Sequence, residues 1–170
     1  ICTMKRAYQA LLEDHFANNR QMAFLSGPRQ IGKTTLAEML LPEAKYYNYD
    51  RADDALKLSR GCDSVAADLG LDAPALAKRG VIFDEIHKFS KWKRFLKGFF
   101  DVYGKGLNVA VTGSARLNVY KRGGDSLMGR YFPYRIHPLS VGEVSDGRLG
   151  LDDEFRSPAK VSGETVRLLL

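Results

Sequence analysis

Residues 27–34 read G-P-R-Q-I-G-K-T, which fits the pattern G-x-x-x-x-G-K-[ST] at every fixed position. The two glycines allow backbone conformations that a Cβ would block, so that main-chain N–H groups can point at phosphate oxygens. Lys33 supplies a compact positive charge for the β- and γ-phosphates, and the Thr34 hydroxyl is a suitable ligand for Mg²⁺. The residues predicted to bind the phosphates are Gly27, Pro28, Arg29, Gln30, Ile31, Gly32, Lys33, Thr34 and Thr35.

The segments on either side of this motif favour a phosphate-binding loop over a chance match in a surface turn. Residues 22–26 form a short apolar run typical of a buried strand. Residues 35–41 have apolar side chains at helical spacing and end before Pro42. A strand, a glycine-containing loop and a helix N-terminus in this order direct main-chain amides and the helix dipole at an anion.

Strand and helix patterns alternate along the chain. Helical spacing covers residues 4–19, 51–78 with breaks near Gly61 and Gly70 and a new start at Asp72, 91–103, and the segment beginning at 116–120. Apolar or β-rich runs cover residues 45–50, 80–85, 107–113 and 131–139. The alternation predicts parallel βαβ units in a three-layer α/β sandwich, with ligands bound at the carboxyl ends of the strands.

Two acidic residues, Asp84 and Glu85, close the apolar run of residues 81–83. Asp84 fits the acid that holds Mg²⁺ through its water shell in phosphate-loop proteins. If the strand alternation continues, Glu85 projects to the other side of the strand, where it could deprotonate a water that attacks the γ-phosphate. A metal site alone requires one acid, and the second favours hydrolysis. The alternative is that Glu85 is a solvated residue at the end of the strand.

The next strand, residues 107–113, ends in Thr112 and Gly113 and is followed by Ser114. A hydroxyl at this position could contact the γ-phosphate or the attacking water and so sense the bound nucleotide. Ser114 could equally serve only as a helix N-cap. The pattern does not separate Thr112 from Ser114 in the sensing role.

The bulk properties are those of an ordinary soluble protein. The chain has 170 residues, of which 45% are hydrophobic and 27% charged, and it lacks an apolar run of membrane-spanning length. It also lacks the apolar core of a secretory signal, so a cytoplasmic location is expected. Cys2 and Cys62 are too isolated to predict a zinc site or a disulfide. The net charge of +6 weakly favours phosphate-rich partners.

Five segments together resemble a prokaryotic AAA+-type ATPase family. They are GPRQIGKTTL, the tyrosine-rich strand ending in Asp50, VIFDEIHK, VTGSARL, and the run from Leu127 to Arg130 followed by Pro138-Leu139-Ser140. Family members pair an N-terminal ATPase domain with a C-terminal domain of unknown function. The resemblance covers about residues 4–145, and the segments after residue 112 are its more specific part.

The resemblance implies a sheet in the order 5-1-4-3-2, ATP and Mg²⁺ as ligands, and hydrolysis with Glu85. It also implies Arg130, with Arg116 as a second candidate, as a charge for the γ-phosphate, in cis or from a neighbouring subunit of a homo-oligomer. A salt bridge or a solvated loop position is the alternative for both arginines. Residues 1–142 are predicted to form the ATPase domain, and residues 143–170 a linker or the start of a further domain.

Three functions are compatible with these residues. The first is a Mg²⁺-dependent ATPase that uses hydrolysis as a switch or motor on an unidentified partner. The second is a phosphotransferase, since kinases share the loop, although the acidic pair fits water activation better. The third is a nucleotide-regulated DNA-binding module, since cations cluster at residues 87–97 and 116–135, although a solvated helix face explains most such clusters.

Overall fold

The computed structural model describes residues 6–71, 79–114, 127–140 and 143. Within these residues five strands form one sheet with every neighbouring pair parallel. The strands are β1 (Met22–Ser26), β2 (Lys45–Asn48), β3 (Arg79–Asp84), β4 (Leu107–Gly113) and β5 (Tyr131–Arg135). They lie in the order β2-β3-β4-β1-β5, which is the predicted order 5-1-4-3-2 read from the other edge. The predicted fold class is confirmed.

The described helices match the periodic segments of the sequence. They are α1 (Ala7–Asn18), α2 (Lys33–Leu40), α3 (Ala52–Ser59), α4 (Cys62–Asp68) and α5 (Trp92–Tyr103), with a short 3₁₀ helix at Ile86–Lys88. The predicted break at Gly61 separates α3 from α4. The helices predicted after Asp72 and at residues 116–120 lie outside the described residues.

The central strands β1, β3 and β4 are buried on both faces of the sheet, and successive side chains of each strand point to opposite faces. Phe24 and Phe83 pack in a cluster with Leu58 of α3, Val65 of α4 and the aromatic face of α5. The intervening strand residues pack in a second cluster with α1 and α2, whose members include Leu12, Leu25, Leu36 and Ile82. Each fully buried large apolar side chain stabilises the fold by about 1.5–3 kcal/mol. Double-sided burial explains the continuous apolar runs of β3 and β4.

Helix α5 is strongly amphipathic and forms most of one core. Phe95 and Phe99 contact the edge of the Phe83 ring, with centroids 5.7 and 5.5 Å away. The cationic residues of this helix are on its other side, where Arg94 is exposed. No helix in the described part of the chain has the length and apolar character needed to cross a membrane.

Strand β5 is shorter than predicted and ends at Arg135, and the next residue, Ile136, is buried in the core cluster that contains Leu25 and Leu36. The N–H of Ile136 donates to the Ser26 carbonyl at 2.7 Å. Beyond it, Glu143 is buried and bonds to residues at the start of α1. The division of the chain at residue 142 stays a prediction, since residues 144–170 lie outside the described part.

Candidate functional site

The glycine-containing loop lies between the carboxyl end of β1 and the first turn of α2. Gly32 has a left-handed backbone, with φ of 81°, and α2 begins at the next residue, Lys33. Gly27 has φ of 155°, and a Cβ there would overlap the carbonyl oxygen of Ile136. The loop can therefore pack against the segment after β5 only with glycine at position 27.

A pocket of about 490 Å³ opens beside this loop, at the carboxyl ends of the strands. The residues lining it are Arg29, Gln30, Gly32, Lys33, Thr34, Thr35, Asp50, Asp84, Glu85 and Lys88. The structure therefore brings the predicted loop and the predicted acidic pair together, although they are far apart in the sequence. Gly27, Pro28, Ile31, Thr112 and Ser114 were also predicted to bind the nucleotide, and they do not line this pocket.

Lys33 is a nearly buried cation at the base of the pocket, with 8% of its surface exposed. Its ammonium group donates to the carbonyl oxygen of Pro28. Burial lowers the pKa of Lys33, and the charges of Glu85 and Asp84 partly oppose this effect. A bound anion would favour the charged ammonium and so compensate for the hydration that burial removes.

Asp84 ends β3 and is 8% exposed, and both of its carboxylate oxygens accept hydrogen bonds. Oδ2 accepts from Thr34 Oγ1 at 3.1 Å and from the Tyr46 hydroxyl at 2.6 Å. Oδ1 accepts from the hydroxyl of Thr112. These bonds fix the carboxylate at the pocket and offset the cost of burying it.

Tyr46 was not predicted as a site residue, although the strand pattern contains a signal for it. In the β2–β3 pair, Asn48 lies opposite Asp84. Tyr46 is two residues before Asn48 and so points to the same face of the sheet as Asp84. Asn48 Nδ2 in turn donates to the Tyr46 hydroxyl at 3.2 Å, which holds that hydroxyl in place.

Glu85 lines the pocket, as predicted, but the alternation of side chains along the strand does not place it there. Strand β3 ends at Asp84, and Glu85 adopts a left-handed backbone with φ of 53°, from which the 3₁₀ helix Ile86–Lys88 begins. The side chain lies 3.2 Å from Lys88 Nζ and 3.9 Å from His87 Nε2. A turn with an uncommon backbone conformation for a non-glycine residue therefore orients Glu85.

Lys88 links the two sides of the pocket mouth and was also missed. Its ammonium group contacts Asp50 at 2.7 and 2.6 Å as well as Glu85. The hydrogen bond to Asp50, followed by that to Glu85, raises the pKa of Lys88. Asp50 lies two residues after the end of β2, so the two carboxylates come from neighbouring strand ends.

The structure separates the two candidate sensing residues. Thr112 is fully buried and its hydroxyl donates to Asp84, so within this structure it supports the Asp84 carboxylate. Ser114 Oγ lies 3.3 Å from His87 Nε2, on the side of Glu85. A sensing role for either residue stays a prediction.

Arg130 lies at the amino ends of the strands, whereas the pocket lies at their carboxyl ends. Its carbonyl accepts from Met22 N–H at the first residue of β1, and the loop follows the last residue of that strand. At about 3.3 Å per residue, β1 alone separates the two ends by roughly 13 Å. The guanidinium binds Asp101 of α5 with two bonds of 2.6 and 3.0 Å. The structure does not bring Arg130 to the pocket of its own chain, and Arg116 lies outside the described residues.

The residues present fit Mg²⁺. Thr34 Oγ1 and Asp84 Oδ2 are oxygen atoms suited to bind a metal, and they lie 3.1 Å apart beside the phosphate-binding loop. Mg²⁺ commonly takes one or two protein carboxylates and completes its shell with waters and substrate phosphates. In the described part of the chain, no group of three or more His, Cys, Asp or Glu side chains is arranged to hold a metal.

The parallel sheet, the glycine loop at the carboxyl end of β1 and the acidic pair at the end of β3 define a P-loop nucleotide-binding protein. The model of the AAA domain family matches residues 19–145, and the chain belongs to this family. The predicted family is confirmed, and in general terms the chain is an AAA-type P-loop ATPase.

No curated protein matches the sequence of this chain. Among solved structures, PCH-2 of C. elegans is similar, with 15% sequence identity and a TM-score of 0.49. The match covers 81% of this chain and 41% of PCH-2, so the chain spans less than half of that protein.

Proposed function

We propose that this chain binds ATP with Mg²⁺ and hydrolyses it to ADP and phosphate, and that the cycle acts as a switch or motor on a partner. One observation carries the proposal: Lys33, Thr34, Asp84 and Glu85 line a single pocket. That set provides a cation for the phosphates, oxygen ligands for a metal, and a carboxylate for water activation.

Phosphate binding falls to the loop and Lys33. The main-chain N–H groups at the start of α2 and the helix dipole favour an anion there. The ammonium group of Lys33 has already lost most of its hydration through burial. On nucleotide binding, it would donate to phosphate oxygens in place of the Pro28 carbonyl. Because the ammonium is a compact point charge, it suits the β- and γ-phosphates of a nucleotide.

Thr34 and Asp84 are the residues that would hold Mg²⁺. When bound, the ion supplies positive charge that stabilises the negative charge of the phosphates. Tyr46 and Thr112 orient Asp84 through the hydrogen bonds that they donate to it. Adenine is inferred from the family, since the loop itself recognises phosphates only.

Glu85 is the proposed general base. A water oxygen attacks the γ-phosphorus, the bond from that phosphorus to the bridging oxygen breaks, and the water proton passes to the Glu85 carboxylate. The ion pair with Lys88 positions the side chain of Glu85 at the pocket, and His87 Nε2 lies 3.9 Å from it. For Arg130 we propose action only across a subunit boundary, since its own chain bonds it to Asp101.

Binding and turnover of ATP, GTP and ADP, with and without Mg²⁺, test the proposal. We expect Lys33→Ala to abolish binding, and Glu85→Gln to retain binding while its turnover falls by about 10²–10⁴-fold. Wild-type turnover in Glu85→Gln would rule out its role as base. Equal loss of binding in both variants would indicate misfolding, and circular dichroism checks for that.

Product analysis separates hydrolysis from phosphotransfer. Free phosphate formed without an added acceptor supports hydrolysis. A phosphorylated acceptor, with turnover that depends on its concentration, would replace the hydrolase assignment by a kinase.

A further inference from the structure

Arg6, just before α1, ties together three distant segments of the chain. Its guanidinium donates to the carbonyl of Ile31 in the loop at 2.9 Å, to the carbonyl of His137 after β5 at 2.6 Å, and to Glu143 Oε1 at 3.0 Å. The side chains of Arg6 and Glu143 are only 10% and 5% exposed. None of these contacts has a part in the hydrolysis described above.

Glu143 is the other half of this arrangement and is fully engaged. Oε1 also accepts the Ala7 N–H at 2.9 Å, and Oε2 accepts the N–H and hydroxyl of Ser140 at 2.8 and 3.0 Å. Burial opposes ionisation of Glu143, but the bonds from Ser140 and Ala7 and the charge of Arg6 outweigh it and lower its pKa. The pair is therefore a built, charged connection between the start of α1 and the chain after β5.

The bond to Ile31 constrains one peptide unit of the nucleotide loop. In a planar trans peptide the C=O of Ile31 and the N–H of Gly32 point in opposite directions. A guanidinium that holds the carbonyl on one side therefore directs the Gly32 N–H to the other side. Gly32 lines the pocket and has a positive φ. Because glycine has no Cβ, its own backbone does little to fix the orientation of this peptide.

We propose that Arg6 and Glu143 form a clamp that couples the nucleotide loop to the chain after β5, with Arg6 as a positioning residue for the Ile31–Gly32 peptide. The inference rests on the proposed function, because it assigns regulation to the same pocket. A change after β5 that removes Glu143 from Arg6 weakens nucleotide binding. By linkage, bound nucleotide stabilises the contacts of residues 137–140 to the same extent.

The first test measures the Kd for ATP with Mg²⁺ in Arg6→Gln, Arg6→Lys and Glu143→Gln. We expect the Kd to rise by about fivefold or more in Arg6→Gln, a typical size for coupling between sites. Arg6→Lys keeps the charge but cannot reach three acceptors at once, so it should rescue only part of the loss. At saturating ATP, kcat should stay within about twofold, because the groups at the acidic pair are untouched.

Arg60, which is exposed, provides a matched control in Arg60→Gln, whose Kd should equal that of the wild type. A merely structural ion pair would lower the melting temperature and leave the Kd of the folded protein unchanged. Folded Arg6 and Glu143 variants with a wild-type Kd would therefore overturn the inference. Should Arg6→Gln not fold, Glu143→Gln decides, since it keeps a side chain of the same size.

The second test needs no nucleotide and uses hydrogen exchange. In Arg6→Gln we expect faster exchange at residues 28–33 and at 137–140 together, and wild-type rates elsewhere in the sheet. Faster exchange in only one of the two segments would contradict the clamp. If the wild-type chain bound no ATP, the proposed function would fail, and this measurement would still decide whether the two segments are coupled.

Discussion

The hydroxyl of Tyr46 donates a 2.6 Å hydrogen bond to the same Asp84 oxygen that accepts from Thr34. Burial, followed by the bond to Asp84, raises the pKa of Tyr46, so the phenol stays protonated and can donate at any physiological pH. The tyrosine therefore orients the carboxylate proposed to hold Mg²⁺. Mutation of a residue in this supporting position typically costs about 10–100-fold in metal affinity or activity.

We expect Tyr46→Phe to raise the Mg²⁺ concentration needed for half-maximal ATP turnover by about tenfold, with little change in the rate at saturating Mg²⁺. A Mg²⁺ titration of the ATPase rate measures this. Tyr47→Phe is the matched control, because its side chain points to the other face of the sheet and bonds to Asp68. An equal shift in both variants would contradict an orienting role for Tyr46.

Tyr47 itself is predicted to contribute to stability. It is fully buried, and its hydroxyl donates to Asp68 Oδ2 at 2.6 Å. We expect Tyr47→Phe to lower the free energy of unfolding at pH 7 by about 1.5–3 kcal/mol, the range for a hydrogen bond to a charged group. Urea denaturation of both proteins measures the difference, and a loss below about 0.5 kcal/mol would contradict it.

The same pair predicts a pH dependence. The bond from Tyr47, with smaller effects of Lys57 and Lys45, lowers the pKa of Asp68 in the folded state. A lowered folded-state pKa stabilises the protein above the unfolded-state value of about 3.9, and this stabilisation is lost as pH falls through the folded pKa. The difference between wild type and Tyr47→Phe should therefore be constant near pH 7 and shrink below about pH 4. A difference that grows on acidification would contradict this sign.

Much of the fold follows from local patterns, and so does part of the site. The loop motif is contiguous, and the apolar runs of β3 and β4 indicate strands buried on both faces, so their positions were predictable. The left-handed turn at Glu85 was not, because that conformation is uncommon for glutamate and no neighbouring glycine signals it. Arg6 and Glu143 are 137 residues apart, and no periodicity connects residues at that distance.

Gly27 is predicted to be indispensable for the geometry of the loop. A Cβ at this position would overlap the Ile136 carbonyl, which is backbone and cannot rotate away. We expect Gly27→Ala to reduce ATP affinity at least about tenfold, because the loop must move out of its phosphate-binding conformation. Isothermal titration calorimetry measures this.

The control for this prediction is Gly106→Ala. Gly106 also has a positive φ, of 76°, but a Cβ there would meet no atom within 4 Å. This variant should lose only about 1 kcal/mol of stability from backbone strain and bind ATP normally. Loss of ATP binding in Gly106→Ala, or normal binding in Gly27→Ala, would show that the clash does not shape the loop.

Arg130 is predicted to act on the pocket of a neighbouring subunit, since within its own chain it lies at the far end of β1 and bonds to Asp101. We expect Arg130→Ala to retain ATP binding and lose turnover. When Arg130→Ala is mixed with Lys33→Ala, which is expected not to bind ATP but carries Arg130, part of that turnover should return as shared interfaces form.

Asp101→Asn should reduce turnover far less than Arg130→Ala, because it removes only the partner that holds the arginine. Wild-type turnover in Arg130→Ala alone would contradict this role. So would a lack of recovery in a mixture whose subunits have assembled. In either case the function of Arg130 would be its ion pair with α5.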